Sequence, residues 1–312
     1  MTGTYRINDT STYHREYLET LGWELTVCNA LEDEKSPCRS ILARKTTYGN
    51  LLYDHLCSII RLESVSAILE IGGGYGYVMR DFLKKMAPIK AAMLDLSPVM
   101  LAKQQETLKD FTVEFIHQDF LTSASSFLKQ YDLILFNEIL GDFPTLCHVN
   151  PRDLTPSDDP IDPLMVKVKN IFASYNLPIP AEIFNFNLGA IIALEKLCAS
   201  RVKFIYISEH SSEAAVRDEM RNKIRISSPG NPEQIRLMGH DEYSVRFSHL
   251  VAVAEKFGYR VVRGQYKNFI TIEHSGRVNF ILTSHSSKDE HEMIRQFIED
   301  LYKYEYIVLI KN

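Results

Sequence analysis

Four glycines stand within five positions in the stretch EIGGGYG, at Gly72, Gly73, Gly74 and Gly76. The apolar run AILE precedes them and the amphipathic run YVMRDFL follows, so the pattern predicts strand, loop and helix in that order. Glycines at such a junction let the backbone take positive φ and approach a ligand closely. A dinucleotide loop would need G-x-G-x-x-G, and no register supplies it. From Gly72 the third glycine would fall at Tyr77, from Gly74 at Met79, and from Gly73 the second position is already Tyr75. A phosphate loop ending in G-K-[ST] fails as well, because the next lysine is Lys84. What remains is Glu70-x-Gly72-x-Gly74-x-Gly76. More residues with chemical reach follow at the ends of apolar runs. Asp95 closes AAMLD, where a carboxylate accepts two ribose hydroxyls or caps the next helix. Asp119 closes VEFIHQD with Phe120 beside it, and Asn137 and Glu138 open NEIL at the end of a fourth run. His117 and His210, also near strand ends, suit either a general base or a hydrogen-bonded structural histidine. Tyr75 and Tyr77 flank the loop and would either cover a ligand or pack the helix.

The elements that must position these groups alternate along the chain. SAILEIG, KAAMLDLS, TVEFIHQDF, YDLILFNEIL and VKFIYISEH read as strands, with YVMRDFLKKMA, PVMLAKQQETLKD and a short SASSFLKQ as helices between the first four. That alternation argues for a parallel sheet flanked by helices, and LILF is the continuous apolar run of a strand buried on both faces. Ser97 before Pro98 reads as a helix N-cap. Residues 11–62 read as helical with breaks, so the chain divides into an N-terminal helical cap (1–62) and an α/β domain (63–312). Seven of the 12 prolines fall between Pro144 and Pro180, where an insertion would form a substrate lid or a mobile loop. AEIFNFNLGAIIALEKLCAS and SHLVAVAEKFGY read as helices, RVVRGQ and RVNFILTSH as two strands, and KDEHEMIRQFIEDLYKYEYIVL as a helix that closes with a short strand.

Composition narrows the function classes. The 312 residues are 45% hydrophobic and 24% charged, with a formal net charge of −5. An acidic chain of pI about 6.1 is not built to coat nucleic acid, and mildly favours a basic substrate. The most apolar helical stretch carries Glu195 and Lys196, and the first residues lack the apolar core of a secretory signal, so a cytoplasmic protein without a membrane span is expected. The five cysteines form no C-x-x-C pair, which argues for reduced thiols and against a zinc site or a disulfide framework. A homodimer is compatible with all of this.

The glycine loop, with acidic strand ends in this order, resembles motif I and the following motifs of the class I S-adenosylmethionine (SAM)-dependent methyltransferases. That resemblance implies a Rossmann-like seven-stranded sheet, mostly parallel with an antiparallel last strand. It implies SAM as cofactor and S-adenosylhomocysteine (SAH) as product. It further implies a loop from Glu70 to Gly76 around the amino acid moiety and sulfonium, Asp95 and Leu96 at the ribose, Asp119 at the adenine amino group, Phe120 on the ring, and Asn137 beside the methyl group. LSPVMLAKQQETL and NEILGDFP are similar to segments of the MidA-like methyltransferases, a family that includes a protein arginine methyltransferase acting in complex I assembly. PAEIFN and SVRFSHLVAVAEKFGY extend the likeness over roughly residues 50–265. Arg246 stands where that family has aspartate, Gly141 where it has an acidic residue, and residues 1–50 lack its G-D-F-x-T-S-P stretch. The methyl acceptor is therefore read as a nitrogen or oxygen nucleophile, with a protein arginine, a small molecule, or no catalysis at all (a SAM-binding assembly factor) as the alternatives. Glu138 is the first candidate to orient a guanidinium or, alternatively, to shape the cofactor loop. Asn137 joins it at the site, and Asp142 and Glu209 are weaker candidates.

Overall fold

A strand made of four successive apolar residues has to be covered on both faces, and Leu133–Phe136 is: all four side chains are buried, Leu133 and Leu135 toward one face and Ile134 and Phe136 toward the other. The computed structural model describes residues 5–19, 26–86, 89–155, 162–216, 219–224, 226, 230–284 and 288–311. Its main sheet has seven strands: β1 (Ala67–Ile71), β2 (Lys90–Asp95), β3 (Glu114–His117), β4 (Leu133–Asn137), β5 (Phe204–His210), β6 (Tyr259–Gln265) and β7 (Tyr304–Lys311). Their spatial order is β3-β2-β1-β4-β5-β7-β6, and β7 runs opposite to the other six. Parallel pairing puts the carboxyl ends of β1 to β5 on one edge of the sheet, with Asp95 level with His117 and Asn137 level with Ser208.

Helices cover both faces. On one side pack α2 (Tyr48–Cys57), α3 (Tyr77–Leu83) and α9 (Asp289–Lys303), through Leu52, Leu56, Val78, Phe82, Ile294 and Phe297. On the other pack α5 (Pro163–Ser174), α6 (Leu188–Ala199) and α7 (Phe247–Lys256), through Val168, Phe172, Leu194, Leu197, Leu250 and Val253. The helix α4 (Pro98–Thr107) follows β2; Ser97 is its N-cap, accepting the Met100 amide, with Pro98 in the first turn. Among the described residues no helix is long and apolar enough to cross a membrane.

Several segments depart from the sequence reading. RVNFILT is helix α8 (Gly276–Thr283), not a strand: Ser275 caps it, and Val278, Ile281 and Leu282 present one buried stripe at helical spacing. Phe184–Phe186 is a short strand before α6 rather than its first turn. The closing strand is no short appendage, since all eight residues of β7 pair with β5 or β6 in the interior of the sheet. The proline-rich insertion is largely built rather than loose. Thr145–Val149 is the middle strand of a small antiparallel sheet, between Arg6–Asn8 and Phe184–Phe186, and α5 buries Met165, Val168, Ile171 and Phe172. Most of the polar TPSDDPIDP stretch lies outside the described residues. The N-terminal segment spreads over the domain. Val27, Leu31 and Cys38 share one core with α2 and the sheet, while α1 (Ser11–Glu16) lies across the carboxyl edge.

Leu309 is fully buried in β7. Leu309→Ala is expected to destabilise the fold by about 2–5 kcal/mol, seen as a lower urea midpoint at unchanged slope.

Candidate active site at the carboxyl edge of the sheet

The chain leaves β1 through a loop with φ of +63° at Gly72, +52° at Gly74 and +82° at Gly76. Those angles and the space above the loop explain the glycines: a Cβ on Gly73 would stand 2.8 Å from Glu70 Cδ, and one on Gly72 2.4 Å from Ile139 Cδ1. Glu70 lies buried under the loop and accepts the Met79 amide (3.1 Å) in the first turn of α3. Burial pushes its carboxyl up to about 8, more than the amide hydrogen bond lowers it.

Asp95 accepts the Ser97 amide (2.9 Å) on one oxygen and Gln104 Nε2 (2.8 Å) on the other. The same Gln104 nitrogen donates to the Gly74 carbonyl (3.0 Å), so one amide from α4 ties the acidic strand end to the glycine loop. Leu96 follows in the cavity wall, and its carbonyl stands 3.0 Å from His117 Nε2. Asp119 accepts the Leu121 amide and Arg15 (both 2.8 Å). Phe120 is buried, edge-on to Phe136 at 4.9 Å and parallel to Phe143 at 6.4 Å.

At the end of β4, Asn137 Oδ1 accepts three hydroxyls: Tyr48 at 2.5 Å, Ser208 at 3.0 Å and Tyr266 at 3.3 Å. Glu138 follows with φ of +55°, a left-handed conformation that a non-glycine residue adopts only under constraint. Its amide donates to the Ser208 carbonyl (3.0 Å) and its Oε1 accepts Tyr266 (3.1 Å). Its Oε2 is buried and has no hydrogen-bond partner among the described residues. Burial first, and then the negative charge of Glu209, pushes the Glu138 carboxyl up to about 8.

Two cavities meet here. The larger, about 900 Å³ with its open mouth included, runs from Gly72 and Gly74 past Asp95, Leu96, Asp119, Phe120 and Phe143. The smaller, about 450 Å³, lies across the loop between Gly73, Tyr75, Tyr77, Cys28 and Asn137. Gly72, Gly74 and Glu138 border both. Over the larger cavity, α1 forms a roof, held by His14 Nε2 to Asp142 Oδ1 (2.7 Å), Thr10 Oγ1 to the Asp142 carbonyl (2.8 Å) and Arg15 to Asp119 (2.8 Å). Burial lowers the His14 pKa, but Asp142 and then Asp95 outweigh it and the net shift is upward. The structure therefore brings Asp95, Leu96, Asp119, Phe120, Glu138 and Asp142 to one chamber with the glycines. Other candidates stay away from it. His210 stacks on Tyr304 (3.9 Å), Glu209 accepts the Gly141 and His210 amides (3.0 and 2.8 Å), and Arg246 pairs with Glu213 (3.4 Å). The sequence reading missed His14, Thr10, Gln104 and the tyrosines around Asn137. Gln104 alone left a trace, at helical spacing from Met100 and Leu101 on the buried face of α4.

The lining groups select a class of ligand. Asp9, Asp95, Asp119, Glu138 and Asp142 border the larger cavity, and among the described residues no lysine or arginine lines either one. Such walls suit a cation with hydroxyls and disfavour a pyrophosphate. A sulfonium nucleoside has those groups, so the residues fit SAM.

The raised Glu138 pKa has a stability consequence. In an acid pushed from the usual carboxylate range to about 8, the folded state keeps a proton that the unfolded chain has released. Its contribution is complete at pH 4 and is lost as pH rises toward 8. Without ligand, Glu138→Gln is expected to match the wild type in thermal midpoint near pH 4.5 and exceed it at pH 8.

Residues 68–152 match the family model described as a methyltransferase domain, a stretch that runs from β1 past Asp142. No curated protein matches the chain. Two solved structures from Burkholderia thailandensis share its fold. An uncharacterised ACR protein aligns with a TM-score of 0.53 at 12% identity, over 84% of this chain and 78% of its own. A second, bound to S-adenosyl-homocysteine, aligns with a TM-score of 0.50 at 12% identity, over 84% and 76%. With the strand order, the glycine loop and the matched domain in agreement, the chain has the class I methyltransferase fold and carries a methyltransferase domain over residues 68–152.

Proposed function

We propose that the chain is a SAM-dependent methyltransferase acting on a nitrogen of a cationic acceptor, with protein arginine as the substrate class that the MidA-like motifs imply, and that Glu138 orients the acceptor. One observation carries the reading: Glu138 stands where the two cavities meet, with one oxygen held by Tyr266 and the other buried without a partner. A lone buried carboxylate oxygen is costly unless a donor arrives to meet it. The N–H groups of a guanidinium or amine are such donors, and their charge would return the carboxyl to its ionised form.

SAM supplies an electrophilic methyl group, and displacement there asks the protein mainly for alignment and exclusion of water. Asn137, fixed by three hydroxyls, sets the direction in which Glu138 leaves β4. Asp95 is assigned to the ribose hydroxyls, Asp119 and Phe120 to the adenine, and the loop from Gly72 to Gly76 to the amino acid end. A small-molecule O- or N-methyltransferase is the second reading, favoured by the roof of α1, which narrows the entrance that a folded protein substrate would need.

Asp95→Ala is expected to weaken SAM binding roughly 10–100-fold by calorimetry, the worth of one or two hydrogen bonds to a charged group; unchanged affinity would remove Asp95 from the ribose. Glu138→Gln is expected to lower turnover by about 10²–10⁴-fold while leaving SAM affinity within a few-fold. A large loss of SAM affinity instead would make Glu138 a cofactor ligand. Incubation of the chain with methyl-labelled SAM and cell extract separates the two readings: label in protein, stable to base, supports the first, and label in the small-molecule fraction supports the second.

A further inference from the structure

Three segments far apart in the chain each send one metal-ligating atom to the same point on the cavity roof. They are α1 with His14, the loop after β4 with Asp142, and the tip of the hairpin formed by Gln234–Arg236 and Asp241–Tyr243 with His240. His14 Nε2 lies 2.7 Å from Asp142 Oδ1, His240 Nε2 lies 3.5 Å from the same oxygen, and all three atoms fall within 4.8 Å of one another. Ligands around a tetrahedral ion at about 2.0–2.1 Å stand roughly 3.3 Å apart, so the observed separations need only small adjustments. The imidazole planes cross at 75° with centroids 5.3 Å apart, so the rings do not obstruct each other. Glu242 Oε1 lies 3.3 Å from His240 Nε2, beside this three-atom cluster and outside it.

The surroundings hold these ligands in place as partners of ligating groups commonly do. Tyr13 stacks on the His240 ring at 4.2 Å and meets His14 edge-on at 5.5 Å. Its hydroxyl donates to the Met238 carbonyl (3.2 Å), and Gly239, at φ of +100°, lets the hairpin tip pass over the ring, where a Cβ would come within 2.6 Å. Thr10 Oγ1 donates to Asp142 Oδ1 (3.1 Å).

We propose that His14, Asp142 and His240 bind a divalent transition-metal ion of the zinc class, which nitrogen and carboxylate donors together select. The ion clips α1 and the hairpin onto the loop that follows Glu138. His14 and Asp142 also line the larger cavity, so the clip sits in the wall of the methyl-transfer chamber. This site is independent of the acceptor assigned above.

The test uses the full chain stripped of metal and titrated with Co²⁺ and Zn²⁺. One equivalent per chain is expected by dialysis and elemental analysis, with a visible ligand-field absorption for Co²⁺ and a metal-dependent rise in thermal midpoint. His14→Ala and His240→Ala should each weaken binding by more than the roughly 10–100-fold that loss of an outer partner costs. His274→Ala, at an exposed histidine outside the cluster, should leave it unchanged. Circular dichroism of each variant establishes that it is folded, and His240→Asn replaces His240→Ala if the latter is not. Co²⁺ affinity equal in the wild type and a folded His240 variant would overturn the proposal, as would the absence of stoichiometric binding at micromolar Co²⁺.

Discussion

The site depends on how the chain turns at the end of β4. Asn137 is gripped by three hydroxyls from Tyr48, Ser208 and Tyr266, and the next residue is thereby forced into a left-handed conformation. Such a residue costs of order 1–3 kcal/mol and persists only where its surroundings over-determine it. Here they do: the Glu138 amide is paired with β5, and its carboxylate with a tyrosine that packs beside β7. The strain aims a carboxylate back across the sheet edge toward the glycine loop, instead of letting it continue along the strand. Two separate cavities then share one wall.

The carboxyl edge also concentrates negative groups that would repel one another in isolation. The protein handles them differently. Asp95 and Asp119 each accept one backbone amide and one side-chain donor, Asp142 is matched by His14, and Glu70 and Glu138 are desolvated until their carboxyls favour the neutral form. A ligand that brings positive charge improves this balance, and an anionic one worsens it.

Much of this edge was legible in the sequence, because a parallel sheet writes its strands as apolar runs and its ligand-facing residues at their ends. EIGGGYG, AAMLD, VEFIHQD and LILFNE each gave a strand end that the structure brings to one chamber. What escaped was either too short or too distant to leave a period. Arg6–Asn8, Gln234–Arg236 and Asp241–Tyr243 are three-residue strands, below the length at which alternation can be seen. The pairing of His14 with Asp142 spans 128 positions, and that of Tyr48 with Asn137 spans 89. Neither is written in local spacing. The helix at Gly276–Thr283 was misread because Val, Phe and Ile outweighed a serine cap whose effect depends on the buried stripe behind it.

The position of β7 bears on how the protein comes into being. The strand lies between β5 and β6, yet it is the last of the seven to be synthesised. Until a ribosome has passed Lys311, β5 has β4 on one side and an open apolar edge on the other, and β6 has no partner in the sheet. Open edges of this kind invite pairing with other chains. That edge stays open while residues 211–311 are made. Completion of the sheet, and with it the closing of that edge, therefore waits for the strand made last.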